Sequence, residues 1–199
     1  MVRALGLAAV AGVLAWSATA IAQDCIATAQ PDIAWGARPD DSSQPHAALK
    51  IMSRLVCRGC QPEVSMLLTA GPASPRMPLA DRTGMDWARA VYADPGSREG
   101  LLQSVLRSEL GSSPGCRLEG GVTGVAEIGN LGMVGTAIRA ACAQNTVTLS
   151  GEFYSGYDGA CLYQVQVVWA PANTELSPQA RESVRKLLRS VHVLSLIHI

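Results

Sequence analysis

The stretch "TVTLSGEFYSGYDGACLYQVQVVW", residues 146–169, decides the fold because its side chains change character at every second position. Small or apolar residues at 147, 149, 151 and 153 alternate with polar ones. The pattern returns at Tyr163, Val165, Val167 and Trp169 after a turn-rich break. Alternation with a period of two is typical of strands that bury one face. The stretch therefore predicts two antiparallel strands.

Turn residues extend this pattern toward the N-terminus. Gly129-Asn130 and Gln144-Asn145 interrupt segments that otherwise favour strands, from Cys116 onward. We therefore predict a four-stranded antiparallel meander over about residues 116–170.

Two segments outside the meander predict helices. Asp94-Pro95 is a typical helix start, and leucine or valine then recurs at helical spacing until Gly111, which predicts a helix over about 95–110. Ser177-Pro178 starts a second amphipathic stretch over about 178–190. The segment 87–92 fits either a strand or an extra turn of helix, and 191–193 predicts a short final strand.

The segments before the first helix predict a strand pair and a polar arm. Apolar runs at 47–56 and 64–70 flank a tight turn at Arg58-Gly59, whereas 71–84 contains three prolines and predicts a loop. Residues 23–46 are polar and proline-rich, and predict a loosely ordered arm. We expect residues 47–193 to form a single α+β domain.

Both ends of the sequence carry segments that we set apart from the fold. Residues 1–22 combine Arg3, an apolar run and the motif Ala20-Ile21-Ala22, which predicts a cleaved signal peptide rather than a membrane anchor. The last six residues, "LSLIHI" at 194–199, resemble translated sequencing-adaptor DNA. We expect the mature protein to be periplasmic or secreted.

Composition limits the partners. The 16 basic and 16 acidic residues balance, and no basic block marks a nucleic-acid surface. No later run is apolar enough for stable membrane insertion after signal cleavage. We expect an unknown protein or a small envelope ligand as partner, with no cofactor and no metal.

The six cysteines, all after residue 22, favour disulfides in an exported protein. If Gly129-Asn130 joins two antiparallel strands, Cys116 and Cys142 face each other within about one residue, and we predict that bridge. Cys142 and Cys161 would lie roughly 30 Å apart at opposite ends of a strand. Cys161 must then pair with Cys25, Cys57 or Cys60.

The motif "CRGC", residues 57–60, has two interpretations. A redox pair normally lies at a helix N-terminus, which lowers the thiol pKa, but here an apolar strand-like run follows. We therefore favour a structural staple, either a local Cys57–Cys60 bridge beside Cys25–Cys161 or two long-range bridges. A thiol–disulfide oxidoreductase using Cys57 and Cys60 is the alternative.

The order of the predicted elements resembles the PsbP-like α/β/α sandwiches. The resemblance rests on the helices at 95–110 and 178–190 and on the segments "LGMVGTAIRAACA", "TVTLSGEFYS" and "CLYQVQVVWAP". It implies an α+β sandwich and a non-catalytic binding or assembly accessory. An unrelated disulfide-stapled α+β fold is the alternative.

Few residues resemble catalytic machinery. "GSSPG", residues 111–115, matches a serine-nucleophile motif, but it leaves a helix and enters a strand, the reverse of the required order. His46 beside Asp40 or Asp41 fits a solvated loop better than a hydrolase base. Glu152 and Asp158 could act together on a glycan, which is a third, weaker hypothesis.

The loop at 155–160 is the predicted contact surface. Tyr154, Tyr157, Asp158 and Tyr163 concentrate there, in the most aromatic part of the sequence. The sequence thus predicts an exported accessory protein without catalytic activity.

Overall fold

A seven-stranded antiparallel sheet forms the centre of the molecule. The computed structural model describes residues 24–38, 49–112, 116–142, 148–171 and 174–194. The strands in these ranges are β1 (Ile26–Thr28), β2 (Trp35–Ala37), β3 (Lys50–Cys57), β4 (Val64–Pro72), β5 (Cys116–Ile128), β6 (Leu131–Cys142), β7 (Thr148–Tyr157), β8 (Cys161–Trp169) and β9 (His192–Leu194). The helices there are α1 (Gly84–Ala93), α2 (Pro95–Ser112) and α3 (Pro178–Arg189).

The strand order is β2-β3-β4-β8-β7-β6-β5. The four strands of the predicted meander lie side by side, and the β3–β4 hairpin joins them through β4. That strand pairs with β8 from Val64, opposite Trp169, to Pro72, opposite Cys161. Each face of this sheet requires a cover because apolar side chains lie on both.

Helices cover the sheet from both sides. Neighbouring residues of a strand point to opposite faces, so Met133 and Val134 of β6 mark the two faces. Met133 packs in the cluster that contains Val184 and Leu187 of α3, whereas Val134 packs with Trp87 of α1. The chain is therefore a three-layer α/β/α arrangement.

Glycines allow the helical layers to approach the sheet closely. A Cβ atom at Gly132 would collide with the backbone of Met85 in α1. At the β5–β6 turn, Gly129 has φ +58°, and a Cβ atom there would collide with the carbonyl group of Val191 just after α3. Larger residues at either position would push a helix away from the sheet.

The short strands β1 and β9 pair with each other outside the main sheet. Ile26 lies opposite Leu194, and Thr28 lies opposite His192. The side chain of Asn130 holds β9: its Nδ2 donates to the carbonyl oxygen of Val193 at 3.0 Å, and the Val193 N–H donates to its Oδ1 at 2.8 Å. Through these two hydrogen bonds and the β1–β9 pairing, both ends of the described chain are fixed to the β5–β6 turn.

The predicted α+β fold with an antiparallel sheet and its four-stranded meander is confirmed. The ambiguous segment 87–92 belongs to a separate helix, α1. Strands β1 and β2 lie within the predicted polar arm and were not predicted, because three-residue strands are too short to show alternation. Leu194, set apart above with 195–199, ends β9. The adaptor origin of 194–199 and the signal peptide stay predictions.

Candidate functional site

A cavity of about 590 Å³ opens between α1, α2, β8 and the loop that follows β4. We call it the α1–α2 cavity. Its apolar lining is Met77, Pro78, Trp87, Val91, Leu101 and Leu162. Its polar lining is Ser74, Arg76, Asp94, Ser97, Ser104 and Gln164, and Gly96 and Gly100 complete the wall. Volumes of about 300–1,000 Å³ with a mostly apolar lining are typical of small-molecule sites.

Trp87 anchors the loop that forms one wall. Its side chain is 1% exposed, and its Nε1–H donates to the carbonyl oxygen of Pro78 at 3.0 Å. The indole also contacts the Tyr157 ring edge-on, with centroids 6.0 Å apart. Because one buried ring contacts both the loop and β7, the cavity wall is fixed to the sheet.

Asp94 connects the two helices that form the opposite wall. Its backbone N–H donates to Ala90 at the end of α1, and its carboxylate accepts from the Ser97 N–H at 2.7 Å in the first turn of α2. Hydrogen bonds from Ser97 lower the pKa of this exposed carboxyl group. Pro95 follows as the first residue of α2, a position that needs no N–H donor. Asp94 therefore works as the α2 N-cap.

Helix α2 turns a face of small residues toward the cavity. Gly96, Ser97, Gly100, Leu101 and Ser104 all line it, at spacings of one helical turn. A Cβ atom built at Gly100 meets nothing within 4 Å, so this position borders open space. The small side chains leave the room that a bound molecule requires.

The two charged side chains of the lining differ in their partners. The Asp94 carboxylate is bonded to the α2 N-terminus, as described above. Arg76 is exposed, and its guanidinium has no hydrogen-bond or ion-pair partner within the ranges that the structure describes. The backbone N–H of Arg76 is bonded to the Ser74 hydroxyl at 3.2 Å. A fixed loop therefore presents an unpaired cation at the cavity mouth.

The chemistry of this lining suits binding. It includes no histidine, cysteine, lysine or glutamate, and its one carboxylate is engaged as a helix cap. In the part of the chain that the structure describes, no three His, Cys, Asp or Glu side chains form a group suited to a metal ion. The cavity thus offers apolar contact area, hydroxyl and amide groups, and one cation.

The predicted contact residues lie elsewhere and face largely inward. Tyr157 and Tyr163 are 4% and 0% exposed. Asp158 accepts from the Tyr163 hydroxyl at 2.9 Å and from the Cys161 N–H at 2.7 Å, while the Tyr154 hydroxyl donates to Glu152 at 2.7 Å. Binding by these residues stays a prediction, but two of the four side chains are buried.

Burial and a neighbouring carboxylate act together on two of these tyrosines. Burial, reinforced by Asp158, raises the pKa of Tyr163 above its ordinary value, and burial with Glu152 does the same for Tyr154. Glu152 and Asp158, the hypothetical glycan-cleaving pair, thus each hold a different tyrosine hydroxyl. Both hydroxyl groups act as donors while they stay neutral.

Four cysteines form two disulfides. Cys57 bonds Cys60 within the β3–β4 hairpin, and Cys25 bonds Cys161 at the start of β8. This is the first of the two staple arrangements considered above. Cys57 and Cys60 are 1% and 7% exposed, and strand β4, not a helix, follows them. This burial limits attack on the Cys57–Cys60 disulfide by an external thiolate.

The structure describes only some of the remaining residues that the sequence singled out. The β5–β6 register puts Cys116 directly opposite Cys142, as the turn predicted. Their side chains lie outside the described residues, so the bridge itself stays a prediction. Ser113 and His46 also lie outside them.

The α1–α2 cavity was not predicted from the sequence. Its lining comes from the loop after β4, both adjacent helices and β8, and no local pattern indicates that these segments meet. One signal was available: glycine and serine recur on a single face of the helix at 96, 97, 100 and 104. Such a stripe on a helix indicates a face that leaves space.

Comparisons with known proteins found a likeness among solved structures. No protein-family model matches the chain, and no curated protein matches its sequence significantly. The chain is similar to the crystal structure of LpqN, involved in cell envelope biogenesis of Mycobacterium tuberculosis. That structure shows 12% identity and a TM-score of 0.45, with 86% of this chain and 84% of LpqN covered. The resemblance to PsbP-like proteins is not confirmed. Within the described ranges, no helix has the length and hydrophobicity needed to cross a bilayer.

Proposed function

We propose that this chain is an exported, non-catalytic binding protein that takes a small amphipathic molecule into the α1–α2 cavity. The observation that carries the proposal is the cavity itself. It has ligand-sized volume, an apolar lining that includes Trp87, Val91 and Leu162, and polar groups that include the charged side chains of Arg76 and Asp94. Its walls are fixed by the Trp87 and Asp94 hydrogen bonds, so a ligand would meet a preformed site.

The disulfides support the exported location. Two disulfides in a domain of this size are typical of proteins that mature in an oxidising compartment. A periplasmic or secreted protein with the predicted signal peptide fits this chemistry. We retain the PsbP-like sandwich as a hypothesis, since the observed α/β/α layers agree with the element order on which that resemblance rests.

The oxidoreductase alternative receives less support. Its two cysteines are buried and lie in a strand hairpin, whereas a catalytic pair requires an exposed, activated sulfur. The glutathione experiment described in the Discussion separates the two hypotheses.

Binding can be tested with a series of linear alcohols from hexanol to decanol, followed by calorimetry and by tryptophan fluorescence. Each methylene that enters an apolar cavity should tighten the dissociation constant roughly fourfold until the space is filled. No increase of affinity with chain length would contradict the proposal.

A matched pair of variants locates the site. Gly100→Leu places a side chain in the open space of the cavity, whereas Glu99→Leu adds the same side chain at the adjacent exposed position, which does not line it. We expect Gly100→Leu to lose decanol binding and Glu99→Leu to keep it. Equal binding by both variants would place the site elsewhere.

A further inference from the structure

We infer that the ligand of the α1–α2 cavity carries an anionic headgroup, such as a carboxylate on an apolar chain, and that Arg76 binds this headgroup. The inference rests on the proposed function and adds the chemical class of the ligand. It follows from the charges around the cavity mouth.

The two charged side chains of the lining, Asp94 and Arg76, are not equally free to bind a ligand. The Asp94 carboxylate accepts from the Ser97 N–H at 2.7 Å and faces the positive end of the α2 dipole, which together satisfy its negative charge. No comparable group faces Arg76, whose guanidinium has no partner in the part of the chain that the structure describes. Arg76 is therefore the charged side chain of the lining that remains available to a ligand.

The chemistry of Arg76 favours a carboxylate. A guanidinium offers several planar donors that match the two oxygens of a carboxylate or phosphate, and such pairs are stronger than neutral hydrogen bonds. The apolar wall behind it, formed by Met77, Trp87 and Leu162, suits the chain that such a headgroup would carry. A cationic headgroup would face Arg76 without a free carboxylate as partner.

Three probes with the same ten-carbon chain test the sign of the headgroup: decanoate, decanol and decyltrimethylammonium. Calorimetry should show that decanoate binds about three- to tenfold more tightly than decanol, since Arg76 is exposed and its charge is partly screened. Decyltrimethylammonium should bind most weakly. The preference for decanoate should decrease with added salt.

Two arginine variants assign the effect. Arg76→Gln should abolish the preference, so that decanoate binds no more tightly than decanol to this variant. Arg89→Gln removes an exposed arginine of α1 that does not line the cavity, and should keep the full preference.

The outcomes separate this inference from the proposed function. If decanol binds as tightly as decanoate to the unmodified protein, or if Arg76→Gln keeps the preference, the anionic ligand is wrong and the cavity remains a binding site. Tighter binding of decyltrimethylammonium also overturns the inference. If none of the three probes binds, the proposed function fails and the inference fails with it.

Discussion

Cys25 and Cys161 are 136 positions apart in the sequence, yet their Cα atoms lie 5.6 Å apart and a disulfide joins them. The bond ties the segment before β1 to the first residue of β8, in the middle of the sheet order. Cys57 and Cys60 are bonded across only three positions. The two bridges therefore constrain the unfolded chain to very different extents.

The long-range bridge should contribute more stability than the local one. Chain entropy gives about 5 kcal/mol for a loop of this length and about 2 kcal/mol for the short loop. Cys25→Ala with Cys161→Ala should lower the free energy of unfolding by the larger amount, and Cys57→Ala with Cys60→Ala by the smaller, in urea titrations. Equal losses would show that local packing, not loop closure, determines the contribution.

The CRGC bridge should resist glutathione in the native protein. Its sulfurs are almost fully buried, so alkylation after mild reduction should leave the intact mass unchanged, and the same treatment in denaturant should label both cysteines. Selective labelling of Cys57 and Cys60 under native conditions would favour the oxidoreductase.

Peptide mapping of the unreduced protein should recover a Cys116–Cys142 cross-link. The two residues face each other in the β5–β6 ladder, where paired cysteines in an oxidising compartment can bond. A different partner for Cys116 would contradict the predicted bridge.

The Asp94 cap should make stability depend on pH in one direction. Hydrogen bonds from Ser97 hold the pKa of Asp94 below its ordinary value of 3.8, so the ionised carboxylate stabilises the fold above that pH and the contribution is lost as the pH falls through the lowered pKa. Asp94→Ala should have a lower melting temperature than the unmodified protein at pH 7, with a smaller difference at pH 2. Asp94→Asn, which can still cap the helix, should lie between them. A constant difference across this range would exclude the charge as the cause.

The Tyr163 hydroxyl should stabilise the fold through Asp158. Tyr163→Phe removes the donor at 2.9 Å from this carboxylate and should cost about 2 kcal/mol of unfolding free energy. Tyr92→Phe is the matched control, because Tyr92 is 39% exposed and should change stability by less than about 0.5 kcal/mol. Since burial raises the pKa of Tyr163, the contribution should persist below about pH 10 and disappear only as the pH rises through that raised pKa. Equal effects of both variants would show that the bond to Asp158 contributes nothing.

Substitution by alanine should change the free energy of unfolding in opposite directions at Gly132 and Gly100. Gly132→Ala forces a methyl group against the backbone of Met85 and should lower the free energy of unfolding by about 2 kcal/mol or more. Gly100→Ala lies in α2 beside open space and should raise it by about 0.5–1 kcal/mol, because alanine favours the helix. Stabilisation by both substitutions would contradict the close approach of α1 to β6.

The meander and two helices could be predicted because each rests on a local period. Alternation at 163–169 sufficed to predict β8, and the turn at Gly129-Asn130 sufficed to place Cys116 opposite Cys142 to within about one residue. The pairing of β4 with β8 could not be predicted, since their residues are about a hundred positions apart and many apolar strands could pair there. The cavity was missed for the same reason, because Arg76, Trp87 and Leu162 meet only in the folded chain.

The pairing of β1 with β9 has a consequence for the order in which the protein folds. Each strand of the meander can pair with a neighbour that has just been synthesised, so this part can form early. Ile26, however, needs Leu194 as its partner, and contacts between such distant residues form slowly because a long loop must close first. We therefore expect the first strand to remain unpaired until nearly all of the described chain has been synthesised. Until then the unpaired backbone groups of β1 would be open to chaperones and to other chains.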